Sequence, residues 1–240
     1  MKSLNRQGNI SFQVNSLLKK YQIEVTLDEL NRLSKIVKRT IEFNRKLYET
    51  GTLNGVFLAT TVEDLIKIYI LRSEVYREMN YSSEFPEFIN GLDFDAYDEH
   101  SAIVYIKRGD LITGTFRLIF DLDEKKLPID KNFCLNYLRN PNRNLVEASR
   151  VIIKNIEGLK SEFKLLIIDS YKILASYKLD AIFVITQEHL KLYKSFGGLS
   201  VEKRFESYGT LNKTFIITLW NTSKISPFFK RAFLRNREVA

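Results

Sequence analysis

The stretch LVEASRVII, residues 145–153, constrains this chain more than any other. Every residue in it suits a strand buried in a sheet except Glu147 and Arg150. Ionised side chains almost never go fully inside a protein unless they are paired, because desolvation costs several kcal/mol per ion. A core strand that carries both a carboxylate and a guanidinium therefore predicts a paired polar site set into a sheet. Side chains alternate along a regular strand, so these two would face opposite sides. A bulge between them would bring them together.

The rest of the chain supplies the sheet and its cover. Residues 101–122 read as two β runs turned at Arg108-Gly109-Asp110. Residues 180–186 read as a buried strand, and VEKRFESYG with KTFIITLWN as a last β pair. A short strand is expected at 57–62. Helices are expected over 26–49, where Thr26 and Glu29 form a capping-box pattern and Leu30, Leu33, Ile36, Val37, Ile41 and Leu47 recur at helical spacing. Further helices are expected over 61–81, entered through Thr61, over 161–179 with Ser161 as its cap, and over 187–197, stopped by Gly197 and Gly198. Residues 50–55 read as a turn, and 82–101 as a long acidic loop of a length often tied to function. The order predicts an α/β (α+β) sandwich with a mixed sheet covered by helices. The expected division is a basic helical extension over 1–55, a main sandwich domain over 56–222 and a basic aromatic tail over 223–240.

These residues resemble a known superfamily. Tyr193 to Gly197 resembles the turn after the late strand and helix of the GNAT acyltransferases. Upstream, Arg72 in LRSEVY, Asp95 and Asp98 in FDAYD, Arg117 in GTFRLI, and Glu147, Ser149 and Arg150 in EASR resemble the constellation of the N-acyl amino acid synthases and the acyl-homoserine-lactone synthases. The likeness runs over roughly residues 57–200. It implies a GNAT-like mixed sheet with a splayed central strand pair. It further implies transfer of an acyl group from a thioester to an amine, with no cofactor.

Two departures sharpen this implication. The lactone synthases usually carry a Trp about ten residues after the helix Arg, at their S-adenosylmethionine pocket, whereas this chain has its single Trp at 220. GNAT enzymes that use coenzyme A usually carry a glycine-rich phosphate loop after the central strand, whose amides hold the pyrophosphate. Here that place reads NIEGLKSEF, with Gly158 alone. Both departures favour an N-acyl amino acid synthase that takes its acyl chain from acyl carrier protein, with an amino acid or similar small amine as acceptor. The alternatives are a lactone synthase using S-adenosylmethionine and a non-catalytic acyl-binding module.

In this reading Glu147 is the base, acting through water, with Ser149 and Arg150 beside it. Arg72, Asp95, Asp98 and Arg117 form a neutralising network that holds the 82–101 loop over the substrate. Plainer readings stand beside these: a sheet-edge ion pair for Glu147 and Arg150, turn formation for the aspartates, a helix-surface cation for Arg72 and a solvent-facing residue for Arg117. The aromatics at 76, 94, 97, 105, 116 and 120 read mainly as core, with a subset available to line an acyl tunnel.

Composition sets the surroundings. Cys134 is the one cysteine, which excludes an intramolecular disulfide and a multi-cysteine zinc site. The formal charge of +8 favours acidic partners, although nothing matches a zinc finger or RNA-binding signature and no nucleic-acid partner is expected. The tail sets Phe228, Phe229, Phe233 and Leu234 beside Lys230, Arg231, Arg235 and Arg237. It suits docking of the acidic carrier protein, contact with an anionic membrane surface, or packing on its own domain. The opening residues lack the apolar core of a secretory signal, so a cytoplasmic protein is expected, membrane-peripheral if the tail meets lipid.

Overall fold

The computed structural model describes residues 2–48, 56–122, 126–139, 144–154, 162–207, 211 and 213–234. The expected turn at 50–55, the Ser161 cap, Gly158, and Arg235 and Arg237 lie outside these residues.

Seven strands form one mixed sheet in the order β1-β2-β3-β4-β5-β7-β6. The strands are β1 (Phe57–Leu58), β2 (Ser101–Arg108), β3 (Leu111–Phe120), β4 (Asn144–Ile153), β5 (Leu179–Thr186), β6 (Leu199–Phe205) and β7 (Phe215–Trp220). Gly109, at φ 57°, makes the β2–β3 turn in the left-handed conformation that costs glycine least. All neighbours run antiparallel except β4 and β5. β1 is far shorter than the expected 57–62, because Thr61 is taken as the cap of the next helix, its hydroxyl accepting from the Asp64 amide.

The central pair is where the sheet opens. β4 and β5 pair from Asn144↔Leu179 to Ala148↔Phe183. Beyond that point β4 runs on to Ile153 beside β3, and β5 to Thr186 beside β7. The two strands thus part at their C-terminal ends, the splay that the resemblance implied.

Each face of the sheet has its own cover. On one face Phe116, Leu118, Val146, Ala148, Ala181 and Phe183 meet helix α4 (Glu162–Ser176) and helix α5 (Leu190–Ser195). The tail joins this core. Phe229 and Phe233 are buried against Phe196 and Trp220, and Phe228 alone of the three stays exposed. For residues 227–234, then, packing on the parent domain uses the greasy side chains. Gly197 and Gly198, both at positive φ, let this segment approach: a Cβ on Gly197 would stand 2.5 Å from the Ser226 nitrogen.

The other face is covered by helices α1 (Lys2–Lys20), α2 (Leu27–Tyr48) and α3 (Val62–Glu78), and by the 127–138 segment. The Thr26–Glu29 capping box opens α2 as its spacing predicted, with the Thr26 amide 2.7 Å from Glu29. Val14 and Leu18 of α1 and Leu33, Ile36, Val37 and Ile41 of α2 share a core with Leu65, Ile68 and Tyr69 of α3. Among the described residues no helix is long and apolar enough to cross a membrane.

Candidate active site

The polar residues singled out in the sequence gather on the α3 side of the sheet, next to the splay. Helical period brings Arg72 there. It lies three residues after Tyr69 on the inward face of α3 and is fully buried. Strand pairing brings the next group: Arg117 of β3 stands opposite Ser149 of β4, and Ile119 opposite Glu147, so all four share one face.

Arg150 reaches that face by the anticipated bulge. The β3–β4 register shifts between Thr115 and Arg117, and Arg150 adopts φ 53°. A left-handed conformation is uncommon outside glycine and favours sites where the surroundings hold it. Here two things hold it. Its Nε lies 2.9 Å from Asp93 Oδ2, and its guanidinium covers the rings of Tyr76 and Phe85 at 5.1 and 4.7 Å.

The acidic loop supplies the counter-charges through a 3₁₀ turn, Ala96–His100. The spacing of Asp95 and Asp98 makes them a capping box: Asp95 accepts from the Tyr97 amide, and Asp98 accepts from the Asp95 amide. The same carboxylates take the arginines. Arg117 Nη1 donates to Asp95 at 2.8 Å and to Asp98 at 3.1 Å, and Arg72 Nη1 donates to Asp98 at 3.1 Å. Arg117 Nε donates to the Ser149 hydroxyl. Three guanidinium groups from three elements thus meet Asp93, Asp95 and Asp98 from one loop. Pairing offsets much of the desolvation cost that each ion would carry alone. Arg72 keeps an unspent capacity, since its buried Nε and Nη2 have no hydrogen-bond partner among the described residues.

Electrostatics divides the acids. Burial would raise Asp95, but the Arg117 and Arg150 charges outweigh it and hold the carboxyl well below the usual carboxylate range. Burial pushes Asp93 upward, and Arg150 offsets this only in part. Burial opposes the charge on Arg117, yet Asp95 and Asp98 hold it more firmly charged than a free arginine.

Glu147 stands somewhat apart from these pairs. It is 7% exposed, one residue before the last β4–β5 pair. Its Oε2 accepts from the Ile129 amide at 2.9 Å, in a 3₁₀ turn, Pro128–Lys131. Burial pushes its carboxyl up to about 7, against the pull of that amide and of Arg117. Such a group changes charge near neutral pH, which is where a general base is most useful.

The structure therefore brings Arg72, Asp95, Asp98, Arg117, Ser149 and Arg150 into one network, with Glu147 beside it. Sequence reasoning missed Asp93 and the Ile129 amide, and placed Tyr76 among plain core residues. Asp93 had a visible signal, since it precedes Asp95 by two in the same acidic run. Tyr76 lies one turn beyond Arg72 on α3. The Ile129 amide had none. Trp220 is a core residue whose Nε1 donates to the Gly197 carbonyl, in the other core.

The mixed sheet, splayed at its central pair, has a GNAT-like fold. A model of the N-acyl amino acid synthase FeeM matches residues 67–219, and the chain belongs to that family. Solved structures agree on the fold. The structure of FeeM, an N-acyl amino acid synthase from uncultured soil microbes, is 14% identical and covers 70% of this chain and 89% of its own, with a TM-score of 0.53. The CoA-dependent acyl-homoserine lactone synthase BjaI, with SAM and isopentyl-CoA, is 16% identical, covers 79% and 85%, and scores 0.56. The AHL synthase LasI is 18% identical, covers 68% and 88%, and scores 0.51. No curated protein sequence matches the chain.

Proposed function

We propose that this acyltransferase moves a fatty acyl chain from the thioester of acyl carrier protein to the amine of an amino acid or related acceptor. The observation that carries this reading is the Glu147 carboxylate, poised near neutrality at the point where β4 and β5 part.

The thioester lies along the gap between the two strands. The acceptor's neutral amine nitrogen attacks the thioester carbon while Glu147, through one water, takes one of its two protons, and backbone N–H groups of β4 beyond Ala148 stabilise the oxyanion. The C–S bond breaks, the amide forms, and the proton returns to the leaving thiolate. No covalent enzyme intermediate is needed. Arg72, fully buried, holds Asp98 and with it the loop. Asp95, Asp98 and Arg117 hold the loop, Ser149 braces Arg117, and the Arg150 bulge turns β4 away from β5.

Two features support carrier protein over free acyl-CoA. The stretch before α4 reads NIEGLKSEF, without the glycine-rich pattern whose amides cradle a pyrophosphate. A cleft of about 390 Å³ between α1 and α2 carries Lys35 and Lys38, which suit an acidic partner, beside Glu42 and an Arg39 already paired with Glu99.

The test offers the purified protein acylated carrier protein or acyl-CoA, with a panel of amino acids and with S-adenosylmethionine, and reads products by mass spectrometry. N-acyl amino acids from carrier protein are expected, and Glu147→Gln should cut their formation by about 10²-fold or more. A lactone product dependent on S-adenosylmethionine would replace the acceptor, and efficient use of acyl-CoA would replace the donor. Full activity of Glu147→Gln would remove the base.

A further inference from the structure

The group that holds Glu147 is itself held. Ile129 lies in the Pro128–Lys131 turn, beside Asp130. Asp130 caps the start of the turn, its Oδ2 accepting from the Leu127 amide. The same carboxylate takes Arg139 in two bonds, Nη1 to Oδ1 at 2.9 Å and Nη2 to Oδ2 at 2.5 Å. Arg139 also forks onto Asp121, Nε to Oδ2 at 2.6 Å and Nη2 to Oδ1 at 3.1 Å. Asp121 follows β3 directly, and its amide donates to the carbonyl of Leu145, two residues before Glu147 on β4. A closed circuit results, from β4 through Asp121, Arg139 and Asp130 to the Ile129 amide and back to β4.

A planar guanidinium bridging two carboxylates is a stiff clasp, because both forks must be satisfied in one orientation. Its place matters for Glu147, since one amide held at the right distance favours the ionised form. Apolar anchors hold the same segment down: Leu127, Ile129, Leu135 and Leu138 are buried with Ile119, Leu145 and Ile182. Loss of the clasp would therefore loosen the turn without unfolding the segment.

We propose that Arg139 is a positioning residue for Glu147: by clasping Asp130 to Asp121 it holds the Ile129 amide on the Glu147 carboxylate. This rests on the reading of Glu147 as the base. The charged groups facing Glu147 are Arg117 from β3, Asp130 from the turn and Asp95 from the loop before the 96–100 turn. Removing Arg139 weakens the hydrogen bond that the Ile129 amide donates to Glu147 and leaves the Asp130 charge uncompensated beside it. Both changes favour the protonated carboxyl, so both move its titration upward.

The test uses two readouts on the full chain. The first is the acid limb of kcat/KM against pH. The second is the titration of Glu147 by ¹³C NMR on carboxyl-labelled glutamate, its signal assigned by its loss in Glu147→Gln. Arg139→Gln should raise both midpoints by about one pH unit, with most of the rate regained at high pH. Arg139→Lys, which keeps a charge but not the fork, should recover part of the shift. Asp121→Asn opens one arm only and should give a smaller rise, which keeps the test valid if Arg139→Gln fails to fold. An unchanged NMR midpoint in folded Arg139→Gln or Asp121→Asn overturns the inference. A rate loss equal at every pH overturns it too. An acid limb that persists in Glu147→Gln overturns the base assignment instead, while the NMR midpoints still decide whether the clasp acts on Glu147.

Discussion

The two faces of β3 and β4 are built from alternate residues of the same strands and do opposite things. Phe116, Leu118, Val146 and Ala148 point into the core under α4. Arg117, Glu147 and Ser149 point the other way, into a buried cluster of ions. The first face gains free energy simply by leaving water. The second loses free energy by desolvation and recovers it only through pairing. A protein that needed stability alone would fill both faces with apolar side chains. On the function proposed above, the ionic face is the one kept for chemistry.

Substitutions on the two faces should separate these roles. Arg117→Met should have the largest effect, because it strips Asp95 and Asp98 of their shared partner in a dry site. Chemical denaturation should show a loss of about 3–5 kcal/mol, and acyl transfer should fall to background. Leu118→Ala, one residue away on the apolar face, should cost about 3 kcal/mol, while the activity per folded molecule stays near wild type. If the two variants behaved alike in both measurements, the contrast between the faces would fail.

Glu147 should show the opposite sign in stability. Its folded pKa, about 7, lies above the ordinary glutamate value of 4.5, so the folded state binds this proton more tightly than the unfolded one. Its contribution to stability is full below about 4.5 and is lost as pH rises through 7. Glu147→Gln should thus be more stable than wild type at pH 8, by up to about 3 kcal/mol, and little different at pH 4. Thermal melts across that range check it. The smallest effects concern the aspartates. Asp95 is held ionised by its arginines, whereas burial works against the charge on Asp93. Asp95→Asn should cost about 1.5–3 kcal/mol, and Asp93→Asn clearly less.

Much of this was legible in the chain. Periodicity marked the helices and strands, and local rules placed their ends. The Thr26–Glu29 box and the Thr61 cap are contacts between residues three apart. The charged pair inside LVEASRVII announced a polar site in the sheet, and the capping-box spacing of Asp95 and Asp98 shaped the loop that meets it. What stayed hidden was set by contacts between distant segments. Asp93 became a partner only when the β4 bulge turned Arg150 onto it, with Tyr76 of α3 against the guanidinium. The Ile129 amide and Arg139 carry no side-chain pattern that points at Glu147.

The sequence by itself determined that a guanidinium and a carboxylate would share a core strand, because residue order decides what each strand must bury. Tertiary structure alone decided which face each would occupy and what would hold it. One left-handed residue at 150 reverses the alternation, and a turn some twenty residues upstream delivers a backbone donor. A backbone amide is the same at every position, so its role depends wholly on where the fold puts it.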